Sequence, residues 1–188
     1  MQPPNHLRRI RLWLAIFIAG LVLSGVTAFP LQTELRWLLS LLNTNTLRPI
    51  AESTHLLPWI KRVYDALSST NAHYPFLAYG TDWLAFGHLA IAIAFIGPYL
   101  DPIRNKWVVT FGLIACVGVI PLALIAGPIR GIPLPWRLID CSFGVFGSIP
   151  LLICRQSIRA LETSPPRSQN RNRLPFPKYP FALSRTRE

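Results

Sequence analysis

Charge is scarce in this 188-residue chain, and acidic charge is scarcer still: 19 Lys or Arg stand against eight Asp or Glu. Almost none of them interrupts the four long apolar runs. Cysteine is limited to Cys116, Cys141 and Cys154, with no CxxC or CxxH spacing. That pattern supports neither a disulfide framework nor a zinc site, and free thiols in apolar runs pack like small hydrophobes. HExxH, GxSxG, a phosphate-cradling glycine loop and a serine with a His and Asp relay are all missing, as are internal repeats. A zinc protease, a serine hydrolase or a nucleotide-binding enzyme therefore has none of its parts here.

Apolar side chains are abundant, at 51% of residues, and their segregation from charge is what a lipid-immersed chain needs, because a charge at mid-bilayer is costly. A membrane-spanning helix takes roughly 20 mostly apolar residues. The first candidate covers 12–29, after the basic N-terminus 1–11 with Arg8, Arg9 and Arg11, and Pro30 ends it. A cleavable signal peptide is the competing interpretation, given the small-residue sequence Val26-Thr27-Ala28. The apolar run exceeds the roughly 7–15 residues usual for such a segment, so an uncleaved span is expected. Spans two, three and four are predicted at 83–100, 107–126 and 136–154, each opening on an interfacial tryptophan, Trp83, Trp107 or Trp136.

Residues 30–82 form the longest segment between spans, with four basic and four acidic residues and with Leu38, Leu39, Leu42, Leu57, Ile60 and Val63 at helical spacings. One or two amphipathic helices on the outer membrane face are expected. Breaks are predicted at the Asn-Thr-Asn-Thr stretch 43–46 and at Ser53-Thr54. The linker 101–106 is a tight basic turn that makes spans two and three antiparallel neighbours. The loop 127–135 holds three prolines with the Trp136 boundary's Pro135, and two glycines, and is predicted to be non-helical. Gly97-Pro98, Pro121 and Pro150 are expected to kink their spans. The tail 155–188 is too rich in Arg, Pro, Ser and Asn to bury a core, so beyond a short helical extension it is expected to be disordered and drawn weakly to anionic headgroups.

Orientation follows from counting. With the N-terminus inside, the cytoplasmic segments hold 13 of the 19 Lys and Arg residues and the outer segments hold six. Both termini are therefore expected in the cytoplasm. The net charge of +11 is explained by that placement; no aromatic platform or nucleic-acid module accompanies it, and no nucleic-acid partner is expected.

The residues that could carry chemistry gather at one membrane level. Asp82 stands at the outer end of span two, and His88 lies six residues deeper, about 9 Å at 1.5 Å per residue. Ala85, His88 and Ala92 share a face, which directs the imidazole along a small-residue stripe. On span four Arg137, Asp140, Gly144, Gly147 and Ser148 share the bundle-facing side. Arg130, Glu34, and Ser24 or Thr27 on the Gly20–Ser24–Ala28 face of span one belong to the same level. Asp82, His88, Arg130, Arg137 and Asp140 are thus the candidate ligand-binding residues: the arginines would hold an anion, the carboxylates would orient the arginines and His88 would read the ligand. The structural alternative pairs Arg137 with Asp140, and Arg130 with Asp82 or Glu34, to fix helix register. No cofactor is expected. Haem in particular lacks two in-span histidines, because His6, His55 and His73 fall outside the spans.

The runs YPFLAYGTDWLAFGHLAIAIAFIGP, GPIRGIPLPWRLIDCSFGVFG and LSGVTAFP resemble a group of small bacterial membrane proteins, over roughly residues 12–155. The resemblance implies a bacterial inner membrane and four spans, and it transfers no activity. The expected architecture is an all-α, four-helix transmembrane bundle with an amphipathic segment between spans one and two. Its expected role is non-enzymatic, binding a small anionic ligand or lipid headgroup, with membrane lipids as partners. The alternatives are an accessory subunit that docks a larger complex or a second copy of the chain, and an intramembrane enzyme acting on lipids with His88 and Asp140 in hydrogen-bond reach.

Overall fold

The structure, a computed structural model, describes residues 4–163. Among the described residues every regular element is helical, and four stretches, His6–Ala28, Pro75–Leu100, Lys106–Ile129 and Leu134–Thr163, are long and apolar enough to cross a bilayer. The protein is an all-α, multi-pass integral membrane protein. Helix α1 (Pro4–Ala28) is 25 residues, about 37 Å, and exceeds the ~30 Å hydrocarbon thickness. Leu23, Ile93, Val117 and Ile125 are each more than 60% exposed on the bundle exterior, as lipid-facing side chains should be.

After α1 the chain forms α2 (Leu31–Leu42), α3 (Arg48–Ser53) and α4 (Leu56–His73), three helices where one or two were expected. Both predicted breaks are present. The chain turns at 43–47, and after Ser53 His55 adopts the left-handed conformation (φ 57°), which stops one helix and starts the next. Polar groups stitch α2 to α4. Gln32 Nε2 donates to Ser68 Oγ (2.9 Å), Asn71 Nδ2 donates to Gln32 Oε1 (3.2 Å), and Arg36 Nε donates to the Tyr64 hydroxyl (3.3 Å). Leu35, Ala51 and Ile60 are the buried apolar side chains of this unit.

The second span begins with a 3-10 turn at Pro75–Ala78, runs as α5 (Tyr79–Ala94), breaks at Phe95 and resumes as α6 (Ile96–Leu100). Pro98 explains the break: it has no N–H for the Ala94 carbonyl, and its ring crowds that turn. Asn105 Nδ2 closes the following turn by donating to the carbonyls of Gly97 (3.1 Å) and Asp101 (2.9 Å), and Asp101 Oδ1 accepts from the Arg104 amide.

Helix α7 (Lys106–Ile129) and helix α8 (Leu134–Thr163) outrun their sequence-predicted ends. Only residues 130–133 of the predicted 127–135 loop are non-helical. Pro135 fits because it sits in the first turn of α8, where an N–H has no helical acceptor anyway, while Pro128 lies inside the last turn of α7 and leaves the Leu124 carbonyl without its helical donor. Both helices continue through Pro121 and Pro150, leaving the Val117 and Phe146 carbonyls without a donor four residues on. Helix α8 extends nine residues past Cys154. The remainder of the tail expected to be disordered, 164–188, lies outside the described residues.

Helix α7 packs chiefly on α8, and α1 packs on both α5 and α8; no comparable contact joins α5 to α7. Glycines allow the close approaches. A side chain at Gly144 would run into the Cys116 backbone carbonyl, and one at Gly112 would come within 2.6 Å of Phe95 and 2.8 Å of Leu151. Without a hydrophobic force between helices in lipid, such backbone-close packing is a main source of association. The core is not central. Ile10, Leu14, Phe95, Val109, Leu113, Leu151, Cys154 and Ile158 cluster at the end of the bundle that carries the 101–105 turn. That end is closed, and the opposite end is open between α5 and α7.

A mixed-charge cleft between helices α1, α5, α7 and α8

The open end holds a cleft of about 770 Å³, within the usual size of a small-molecule site. Its walls are mostly apolar, with Phe17 and Leu21 from α1, Leu122 from α7, and Phe143 and Phe146 from α8. Gly20 and Ser24, on the small-residue face of α1, line it as well, so the absence of bulk there keeps the space open.

Three of the five candidate residues line this cleft. His88 enters from α5, Arg130 stands at its mouth where α7 ends, and Asp140 enters from α8 about 9 Å past Leu134. Three helices distant in sequence thus deliver a cation, an anion and an imidazole to one apolar space. His88 Nδ1 lies 2.8 Å from the Leu84 carbonyl. A carbonyl oxygen can only accept, so Nδ1 is the donor of this pair, and Nε2 is the ring nitrogen left for the cleft. The face-sharing predicted for this helix holds: Ala85 and Ala92 are buried, with Gly25 of α1 close against the Ala85 backbone, while His88 at the edge of that stripe stays half-buried.

The other two candidates do not line the cleft. Asp82 is in the first turn of α5, where a carboxylate complements the positive end of the helix dipole. Arg137 lies across Gly127, packed so closely that any Cβ at 127 would collide with it, and its Nε is buried without a hydrogen-bond partner. Its stem seals the α7–α8 seam behind the cleft. Glu34 faces a shallow groove on α2 with Trp37 and Leu41.

The register-fixing ion pairs are not formed. Among the described residues the ion pairs are Arg48–Glu52 (2.8 Å) and Lys106–Glu162 (2.7 Å), so neither Arg137 with Asp140 nor Arg130 with Asp82 or Glu34 is joined. The carboxylates therefore do not orient the arginines. Among the described residues no hydrogen bond links His88 to Asp140 either, and no group of three His, Cys, Asp or Glu could hold a metal ion. Sequence periodicity could not find the aromatic wall, because Phe143 and Phe146 look like any lipid-facing pair until the gap between α5 and α7 is seen.

No family model, curated protein or solved structure matches the chain.

Proposed function

We propose that the cleft binds a membrane amphiphile whose headgroup combines an anionic group with a hydrogen-bond donor, as a phosphoethanolamine lipid does. The observation that carries this is the convergence of Arg130, His88 and unpaired Asp140 on one cleft with apolar walls. A carboxylate in apolar surroundings is costly unless something donates to it. Arg130 supplies a cation for phosphate, Asp140 accepts from the ammonium, and His88 Nε2 accepts a further donor. The aromatic and leucine walls take an acyl chain. The protein would act as a binding component of a bacterial inner membrane, with both termini cytoplasmic and the cleft in the outer leaflet; the excess of 13 over six basic residues and the resemblance to small bacterial membrane proteins support that placement.

The test is lipid retention in nanodiscs that hold equal phosphatidylethanolamine and phosphatidylcholine, read by native mass spectrometry. The two headgroups share a phosphate, but only the first has N–H donors. Wild type should keep phosphatidylethanolamine selectively, and Asp140→Asn should lose the selectivity. Equal retention of both lipids by wild type would contradict the proposal.

A further inference from the structure

A second groove, of about 310 Å³, runs along the closed end between the start of α7 and the last turns of α8. Its charge is mostly basic, from Lys106, Arg155 and Arg159. Arg155 and Arg159 are four residues apart on α8, so they project from one face and can converge on one group. Neither takes part in an ion pair among the described residues. The single acid of the groove, Glu162, is already bound to Lys106 Nζ at 2.7 Å, which leaves the two guanidiniums uncompensated. The N-terminus of α7 adds the positive end of its dipole.

We propose that this groove holds the headgroup of an anionic phospholipid, distinct from the amphiphile of the open-end cleft. Two guanidiniums suit a phosphate because each can give paired N–H donors to its oxygens. A choline or ethanolamine cation would meet Lys106 and two arginines, with the one carboxylate occupied, so a zwitterionic lipid fits poorly. The groove is placed for lipid. Its floor is the buried pair Val109 and Ile158, Trp107 is 67% exposed at the start of α7, an interfacial position, and the exposed Phe111 and Ile114 continue along α7 as a track for an acyl chain. Basic pockets between spans are a recognised form of headgroup site.

The probes are phosphatidylglycerol and phosphatidylcholine, mixed equally in nanodiscs that carry the full chain. Wild type is expected to retain one phosphatidylglycerol with about tenfold preference, from two basic side chains near an anionic headgroup less their screening. R155Q/R159Q should lose the preference and R155K/R159K should keep part of it. Equal retention of the two lipids by wild type, a comparison that needs no variant, would overturn the proposal, as would an unchanged preference in R155Q/R159Q. Soluble glycerol 1-phosphate should not saturate the delipidated protein. Saturable binding of it that R155Q/R159Q abolishes would make the groove a site for free anions and would overturn the lipid assignment.

Discussion

The Nδ1–H of His88 is bound to the carbonyl of Leu84, one helical turn back at 2.8 Å, so the ring is fixed in orientation and offers the cleft only its Nε2. The two nitrogens can be told apart by substitution. His88→Gln keeps a polar atom near Nε2, whereas His88→Asn keeps one near Nδ1 and leaves the cleft short. Selective lipid retention should survive in His88→Gln and fall roughly fivefold in His88→Asn, for the loss of a hydrogen bond worth about 1 kcal/mol. The reverse order, measured by lipid competition in nanodiscs, would remove Nε2 from the site.

Gly144 and Gly118 predict opposite responses. A Cβ at Gly144 meets the Cys116 carbonyl, which is backbone and cannot swing aside, while nothing lies within 4 Å of one at Gly118. Gly144→Leu should separate α7 from α8 and cost about 3 kcal/mol or more, in the range of severe overpacking. Gly118→Ala should be neutral or stabilise by up to about 1 kcal/mol through helix propensity. Thermal unfolding of the two variants in one detergent checks the contrast.

Tyr64 carries a pH signature outside the spans. The hydrogen bond from Arg36, then that with Ser68, holds its phenol below the usual tyrosine range. A folded-state value below the unfolded one means that ionisation favours the folded α2–α4 pair. The added stability is therefore fully present only above the ordinary tyrosine pKa and is lost as pH falls through the lowered one, so neutral pH sees none of it. The ultraviolet difference titration between wild type and Tyr64→Phe should show the early ionisation, and Arg36→Gln should move it upward.

The distribution of Lys and Arg predicts sidedness. A cysteine introduced at Asn45, in the turn after α2, should react with a membrane-impermeant maleimide in intact cells, and one at Arg104, in the α6–α7 turn, should react only after lysis. Background variants in which Cys116, Cys141 and Cys154 are Ser or Ala keep the assay clean. Labelling in the opposite order would invert the orientation.

The spans were legible because lipid imposes length and apolarity on contiguous sequence; Trp107 and Trp136 lie within two residues of the starts of α7 and α8, whereas the second span begins at Pro75, eight residues before Trp83. Helix ends were less so. Pro128 and Pro135 act as helix breakers only in a helix interior, and their terminal placement depends on where the neighbouring helix stops. For the site, the helical spacing of Arg137, Asp140 and Gly144 correctly gave a bundle-facing side, and depth counting put Asp140 level with His88. What one-dimensional spacing could not supply is lateral position. Arg137 is diverted onto Gly127 by the close α7–α8 packing, and Asp82 remains at the end of α5 because the cleft opens deeper, where α5 and α7 are not packed together. The aromatic wall depends on that same gap.

The most direct test of the cleft as a selective lipid site is photocrosslinking from within it, with a benzophenone amino acid at Phe143 on the cleft wall or at Val117, an exposed position outside the cleft, in membranes of known lipid composition. Position 143 should capture phosphatidylethanolamine well above its share of the membrane, with the excess abolished by Arg130→Gln, while position 117 captures lipids in proportion to their abundance. The same bulk mixture at both positions would contradict a selective site and leave the cleft as ordinary lipid-filled space.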